Sequence, residues 1–128
     1  MGKRVNHLDK YAFSKCSSLT SFTIPSAVTC IEEGLLWDTP KLTNVTMHNR
    51  IYGIGKYAFK QSGITQITIP ESVNKIQEEA FSGCRLIQVN YGGSKVKWKD
   101  LDGRWWVPES AKIMYEKGSG GFIQYLFN

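Results

Sequence analysis

The chain has no run of apolar residues that approaches the roughly 20 that a helix needs to cross a bilayer. Its first residues, MGKRVNHLDKYAF, also lack the apolar stretch of a secretion signal. These absences predict a protein with no membrane span. They leave two locations open: the cytoplasm, or the outside of the cell, reached through a signal that lies beyond this sequence.

Cysteine and histidine are scarce, with three and two residues respectively. There is no C-x-x-C pair, no cysteine and histidine lie at metal-ligand spacing, and an odd number of cysteines cannot complete a disulfide framework. Neither a G-x-S-x-G motif nor a phosphate-binding glycine loop occurs. We therefore predict a protein that is not an enzyme, with no catalytic residues, no metal and no cofactor.

Blocks of a single charge sign are missing as well. The net charge is +5 and the pI is about 9.2, but acidic and basic residues alternate, and no run of Lys or Arg exceeds two. This pattern does not favour nucleic-acid binding. With 41% apolar residues among 128, the chain has enough material for the core of one domain.

What the sequence does contain is a block of 22–23 residues that recurs four times. The steps from Phe13 to Leu36, Phe59 and Phe81 are 23, 23 and 22 residues, and the length difference falls in one loop. A period in this range is typical of a solenoid, in which each coil packs on the next. We predict about four coils, mostly β with little helix, whose equivalent side chains align in a column.

Each repeat contains a strand in which apolar and polar residues alternate, as in Phe22-Thr23-Ile24. The apolar residues are predicted to face the core. The polar residues should lie on the exposed face of a curved parallel sheet, because stacked threonines and amides pack well across adjacent strands. The predicted partner-binding residues of this face are Ser21, Thr23, Asn44, Thr46, Gln66, Thr68, Gln88 and Asn90.

The cysteines occupy two registers of the repeat. Cys16 and Cys84 align with Thr39 and Ser62, which predicts small buried side chains. Cys30 aligns with polar or small residues in the other coils, which predicts a free thiol at the surface.

A single domain is predicted over residues 1–128, with repeats at 5–91, a C-terminal cap at 92–117 and an apolar tail at 118–128. Ala111 and Ile113 fall 22 residues after Val89 and Tyr91, which predicts a fifth strand at Lys112–Tyr115. The tail segment FIQYLF, residues 122–127, would be prone to aggregation if exposed. We predict that it docks on the last coil, or on another chain to form a homo-oligomer.

Three tryptophans lie in the segment 92–108, which breaks the consensus and is predicted to be a loop. Trp98 falls 22 residues after Ile76 and should therefore be in the core. The adjacent Trp105 and Trp106 cannot both point inward from an extended chain. One exposed ring would be able to stack on a sugar or anchor a protein partner, and packing within the cap is the alternative.

These repeats resemble the BspA-type leucine-rich repeat family, whose coils follow A-F-x-x-C-x-x-L-x-x-[VI]-x-[IL]-P-x-x-[VL]-x-x-I. The match covers about Val5 to Tyr91, and YGGSKVKWKDL resembles the segment that often closes such arrays. The resemblance implies a leucine-rich-repeat solenoid, α/β by convention, usually part of a longer surface or secreted protein with roles in adhesion and host-protein binding. The chain departs from the consensus at Leu35-Leu36-Trp37 and at Met47-His48, which indicates a contact patch at Trp37 and His48 or simple drift in one coil.

Three functions remain open on this basis. The first is a recognition module that binds a host or cell-surface protein through the polar sheet face. The second is glycan binding through Trp105 or Trp106, and the third is a structural spacer without a ligand. An extracellular or cell-surface location is favoured over the cytoplasm, because Val5 and Leu8 share the register of Val28 and Ile31, so the sequence starts midway through a repeat.

Overall fold

The computed structural model describes residues 5–116 and 121–123. It is a β-solenoid of about four coils with little helix, as the repeat period predicted. In chain order, the strands and helices are β1 Ser21–Thr23, β2 Cys30–Ile31, β3 Asn44–Thr46, β4 Gly53–Ile54, β5 Gln66–Ile69, β6 Lys75–Ile76, β7 Gln88–Tyr91, α1 Lys95–Asp100, a 3-10 turn Arg104–Trp106, β8 Lys112–Glu116 and β9 Phe122–Ile123.

Equivalent strands of successive coils pair in parallel on two sides of the solenoid. One side carries β2, β4 and β6, and the other carries the predicted binding face. That face is divided into two ladders. In one, β1 pairs with β3; in the other, β5 pairs with β7 and β7 pairs with β8, and no ladder joins β3 to β5 in the described chain. The division coincides with the change in loop length, since Leu36 to Val45 is nine residues and Phe59 to Ile67 is eight.

The column of central side chains predicted from the repeats is present. The amides of Phe13, Leu36 and Phe59 each donate to the next coil, to the carbonyls of Leu35, Ala58 and Ala80 respectively. Leu36, Phe59 and Phe81 are fully buried, whereas Phe13 in the first coil is only half-buried. The core is therefore tightest in the later coils and more open at the N-terminal end.

Each coil turns through two residues with left-handed backbone, four positions apart. The close packing of successive turns explains one glycine, since a Cβ on Gly34 would lie 2.2 Å from the ring of Tyr11. Gly83 occupies a second of these positions, and the remaining six carry ordinary side chains at a cost of roughly 1–2 kcal/mol each. The left-handed pairs are Tyr11 and Lys15, Gly34 and Asp38, Tyr57 and Gln61, and Glu79 and Gly83.

The cap begins with a helix where the sequence predicted a loop. Ser94 caps α1, and its side chain accepts a hydrogen bond from the Lys97 amide at 3.2 Å. Trp98 on this helix is buried, as predicted, and packs edge-on against Tyr91 with ring centroids 5.2 Å apart. Burial of one large ring on a six-residue helix gives no apolar periodicity, which is why the sequence pattern did not reveal the helix.

The fifth strand is present as β8, but its predicted register was wrong by two residues. Val89 pairs with Ile113 and Tyr91 with Tyr115, a step of 24 residues instead of 22. The insertion of α1 and the 3-10 turn lengthens the path, and a shift of two keeps the same side chains toward the core.

The first tail residues pair with the cap. β9 is antiparallel to β8, with Tyr115 opposite Ile123 and Glu116 opposite Phe122. Residues 124–127 of the predicted docking segment lie outside the described residues.

The cysteines differ from the prediction. Cys16, Cys30 and Cys84 are all half-buried, so Cys16 and Cys84 are less buried, and Cys30 less exposed, than their registers suggested. The thiol of Cys84 donates to the Phe59 carbonyl at 2.9 Å and lies 3.3 Å from the hydroxyl of Ser62.

Candidate functional site

The predicted sheet face consists of two rows of outward-pointing residues. Within each row, the residues lie opposite each other on paired strands. The two rows share one face of the sheet, because side chains two positions apart on a strand point to the same side. One row is Ser21 and Asn44, then Gln66, Gln88 and Lys112; the other is Thr23 and Thr46, then Thr68, Asn90 and Met114.

Six of the eight predicted face residues are exposed. Ser21, Thr23, Asn44, Thr46, Gln66 and Thr68 present polar, uncharged side chains to solvent.

The other two predicted face residues are not freely exposed, which corrects the prediction. Asn90 is buried at 8% exposure and Gln88 is half-buried. The Gln88 amide donates to the Asn90 side-chain oxygen at 2.8 Å, and β8 flanks Asn90 with Met114. Because the cap strand covers this end of the sheet, both side chains are engaged within the protein.

A groove of about 590 Å³ opens where the strands of this face end. Thr68 forms part of it from the sheet, Met47 and Pro70 line it from the turns that follow β3 and β5, and Phe122 lines it from the tail. A pocket of this volume lies within the range of small-ligand and peptide sites. The polar rows therefore lead into a recess lined by both apolar and polar residues.

Charged residues of the groove come from the turn after β5 and from the cap. The ammonium group of Lys97 lies 3.1 Å from a carboxylate oxygen of Glu71, and both side chains are about half exposed. Exposed pairs of this kind contribute little to stability. Glu116 also lines the groove, so its lining carries two carboxylates and one ammonium group.

The cap tryptophans separate as the sequence suggested. Trp105 is 61% exposed, whereas Trp106 is half-buried against the core. Trp105 lines a cleft of about 320 Å³ beside β6 and a second cleft of about 260 Å³ on the side of Arg104. Of the predicted aromatic contacts, Trp105 is thus the accessible one.

An aromatic column along the turns was not predicted as a unit. The ring of Trp37 lies 5.8 Å from that of Tyr11 and 5.9 Å from that of Tyr57, and the ammonium of Lys60 lies 4.8 Å above Tyr57. The tyrosines that precede Ala-Phe in the first and third coils were the available signal, but only the fold shows that Trp37 reaches between them. Trp37 and His48 were predicted to mark a contact patch. The ring of His48 instead forms a hydrogen bond with the Pro25 carbonyl, 3.0 Å away, within the solenoid.

The carboxylates at the bends are also more engaged than solvated turn residues would be. The hydroxyl of Tyr11 donates to Glu33 at 2.6 Å, and this hydrogen bond raises the pKa of Tyr11. Lys60 lies 3.1 Å from Glu79. These contacts tie successive turns together along the aromatic column.

Within residues 5–116 and 121–123, no group of three or more His, Cys, Asp or Glu side chains is placed to hold a metal ion. No helix of the same residues is long and apolar enough to cross a bilayer.

Comparison with known proteins gives one family and two similar structures. The family described as BspA type Leucine rich repeat region (6 copies) matches residues 1–100. A leucine rich cell surface protein from Faecalibacterium prausnitzii A2-165 is 28% identical, with a TM-score of 0.62 over 90% of this chain. A leucine-rich repeat protein from Bacteroides ovatus ATCC 8483, 24% identical with a TM-score of 0.61 over 82% of this chain, shares the fold. No curated protein matches the chain significantly.

The chain spans little more than a quarter of those two solved chains, 28% and 27% respectively.

Proposed function

Because the chain belongs to the BspA-type leucine-rich repeat family, we propose that it is a non-catalytic recognition module that binds a protein partner through its polar sheet face. The observation that carries this proposal is the continuity of the exposed polar rows with the groove at the strand ends. Thr46 and Thr68 supply hydrogen-bonding groups, while Met47 and Phe122 supply apolar contact area.

The face has no exposed Arg or aromatic residue in its first three strands, which sets an expectation for affinity. Such residues dominate the binding energy of most protein interfaces. The groove therefore acts as the anchor and the polar rows as complementary contacts. Binding by a single module is expected to be weak and to gain strength when several copies engage together.

We propose an extracellular or cell-surface location and a host or cell-surface protein as the partner. Support comes from the family and from the similar Faecalibacterium prausnitzii chain, which is described as a cell surface protein. We also propose that the tail segment 122–127 can form a homo-oligomer, since β9 adds to the edge of β8 and the equivalent strand of a second copy can take its place.

Binding to a panel of purified extracellular-matrix proteins tests the proposal, with the protein immobilised at high density to allow avidity. Thr46→Arg and Thr68→Arg place a large charged side chain on the exposed face and should abolish retention. Asn74→Arg, on an exposed residue next to β6, is the matched control and should retain the partner. A spacer without a ligand would retain nothing, and equal loss in all three variants would remove the sheet face from consideration.

A second candidate function is saccharide binding through an exposed tryptophan. The observation that favours it is the 61% exposure of Trp105 between two clefts. This site lies beside β6, so the two candidate functions use different surfaces and are tested by different substitutions.

A further inference from the structure

We propose that the cleft between β6 and the 3-10 turn binds an uncharged sugar residue that stacks on Trp105. This inference rests on the second function proposed above and assigns its site and the class of its ligand. The cleft has a volume of about 320 Å³ and is lined by Gln77, Glu78, Asp102 and Trp105 together with two lysines. That volume is at the lower end of the roughly 300–1,000 Å³ of small-ligand sites.

A close approach of backbone to backbone builds the cleft. The Ile76 amide donates to the Asp102 carbonyl at 2.8 Å, which joins the cap to the edge of β6. Gly103 follows with φ of 87°, and a Cβ at this position would lie 1.7 Å from the Ile76 carbonyl oxygen. Only glycine lets the 3-10 turn start here. The turn packs Trp106 partly against the core and leaves Trp105 exposed, and both rings line the cleft.

The exposed ring of Trp105 borders the cleft. The guanidinium group of Arg104 lies 5.8 Å from the ring centroid, and Arg104 lines the neighbouring cleft but not the one beside β6. Trp105 therefore borders one cleft that contains Arg104 and one that does not. A sugar has an apolar face of C–H groups and a rim of hydroxyls, which matches an indole ring surrounded by polar side chains.

The charges of the cleft balance. Lys56 lies 3.6 Å from Glu78 in an ion pair, and the remaining charged residues of the lining are Lys75 and Asp102. Two ammonium groups and two carboxylates leave no net charge to attract a phosphate, a sulfate or a basic peptide. They do provide donors and acceptors for hydroxyl groups, each of which can both donate and accept.

Gln77 is held in place before any ligand arrives. Its side-chain oxygen accepts a hydrogen bond from the backbone amide of Lys56 at 3.3 Å. Its amide nitrogen remains able to donate to a ligand, since Gln77 lines the cleft, and a group that is already positioned loses less freedom on binding.

A glycan array probed with the intact chain tests this inference, with retained glycans then titrated against each variant. Trp105→Ala should weaken binding at least about tenfold, because the stacking platform is lost, and Trp105→Phe should weaken it less. Gln77→Ala should weaken binding several-fold. Trp37→Ala, at a half-buried tryptophan that does not line the cleft, is the control and should bind like the parent.

Salt separates the uncharged class from charged sugars. Binding should change by less than about twofold between roughly 0.05 and 0.5 M salt, since no net charge is neutralised. Retention restricted to sialylated or sulfated glycans, with strong salt dependence, would overturn the assignment of an uncharged ligand.

Two further outcomes distinguish the site from the function. If the parent retains no glycan at all, both saccharide binding and the cleft are wrong. If glycans bind Trp105→Ala and Gln77→Ala as well as the parent, saccharide binding stands but the cleft is not its site. Unchanged melting temperatures are expected for the substitutions at the exposed Trp105 and Gln77, and thermal melting of every variant, Trp37→Ala included, confirms that it is folded at the assay temperature.

Discussion

The rings of Phe59 and Phe81 lie one above the other in successive coils, with centroids 5.3 Å apart and 10° between their planes. Both side chains are fully buried, and the Phe59 amide donates to the Ala80 carbonyl at 2.8 Å. The stacked rings and the hydrogen bond hold the third and fourth coils in register. Neither coil could bury its ring without the other.

Replacing Phe59 by alanine should lower the free energy of unfolding by about 3–5 kcal/mol, because the lost ring leaves a cavity in a closed layer. Phe59→Leu, which copies the buried Leu36 of the second coil, should cost less. Urea unfolding measures both. Phe13→Ala is the control, since Phe13 is half-buried and should cost clearly less than Phe59. Equal losses at the two positions would contradict the tighter packing of the later coils.

Gly103→Ala should detach the cap from β6 and lower the free energy of unfolding by about 3 kcal/mol or more. The new methyl group would collide with the Ile76 carbonyl, which is backbone and cannot move aside. Gly121→Ala is a matched control, because Gly121 also has positive φ but nothing lies within 4 Å of its Cβ position. That variant should cost only the backbone strain, roughly 1–2 kcal/mol. Thermal melting compares them, and similar shifts for both would show that contact with Ile76 is unimportant.

The repeated part of the fold could be predicted because the same pattern of residues occurs in several coils. One register is occupied by Phe13, Leu36, Phe59 and Phe81, so the assignment of a residue in one coil can be checked against the others. The division between β3 and β5 was not predicted, although it coincides with one residue fewer in the loop before Ile64. Sequence spacing gives the length of a loop but not how the strands respond to it.

The cap and the sites were harder to predict because they occur once. The register of β8 depends on how many residues α1 and the 3-10 turn take up, and the spacing of the repeats does not give that number. The burial of Asn90 follows from the same strand. The exposure of one of Trp105 and Trp106 was foreseeable from their adjacency, but which ring is exposed depends on Gly103 and the turn that it starts.

Alkaline pH should destabilise the fold. Burial raises the pKa of the Cys84 thiol, and it also raises the pKa values of Tyr91 and Tyr115. The folded protein then holds these protons more tightly than the unfolded chain does. The stabilisation is fully present below the unfolded pKa values, about 8.5 for a thiol and about 10 for tyrosine, and is lost as the pH rises through the raised values. Urea unfolding between about pH 8 and pH 11 measures the decline.

Cys84→Ser separates the contribution of the thiol from that of the tyrosines. Serine occupies this register at Ser62, and its hydroxyl can also donate to the Phe59 carbonyl without ionising in this range. The variant should lose less stability than the parent between about pH 8 and pH 10. Identical pH dependence in the two proteins would show that the Cys84 thiol does not titrate differently on folding.

Removing the tail should expose a sheet edge. β9 pairs with β8 at Tyr115 and Glu116, so deletion of residues 118–128 leaves the outer side of β8 without this partner. Unpaired strand edges favour association between chains, and we therefore expect a lower melting temperature and concentration-dependent aggregation. Deletion of residues 124–128 alone keeps β9 and is the control.

Light scattering over a range of concentrations distinguishes two roles of this contact. If β9 covers the edge of its own chain, the parent stays monomeric and only the longer deletion aggregates. If the tail instead joins two chains, the parent is a dimer and the longer deletion converts it into a monomer, because the exchanged strand is gone. A longer deletion that is monomeric and melts like a monomeric parent would contradict both roles.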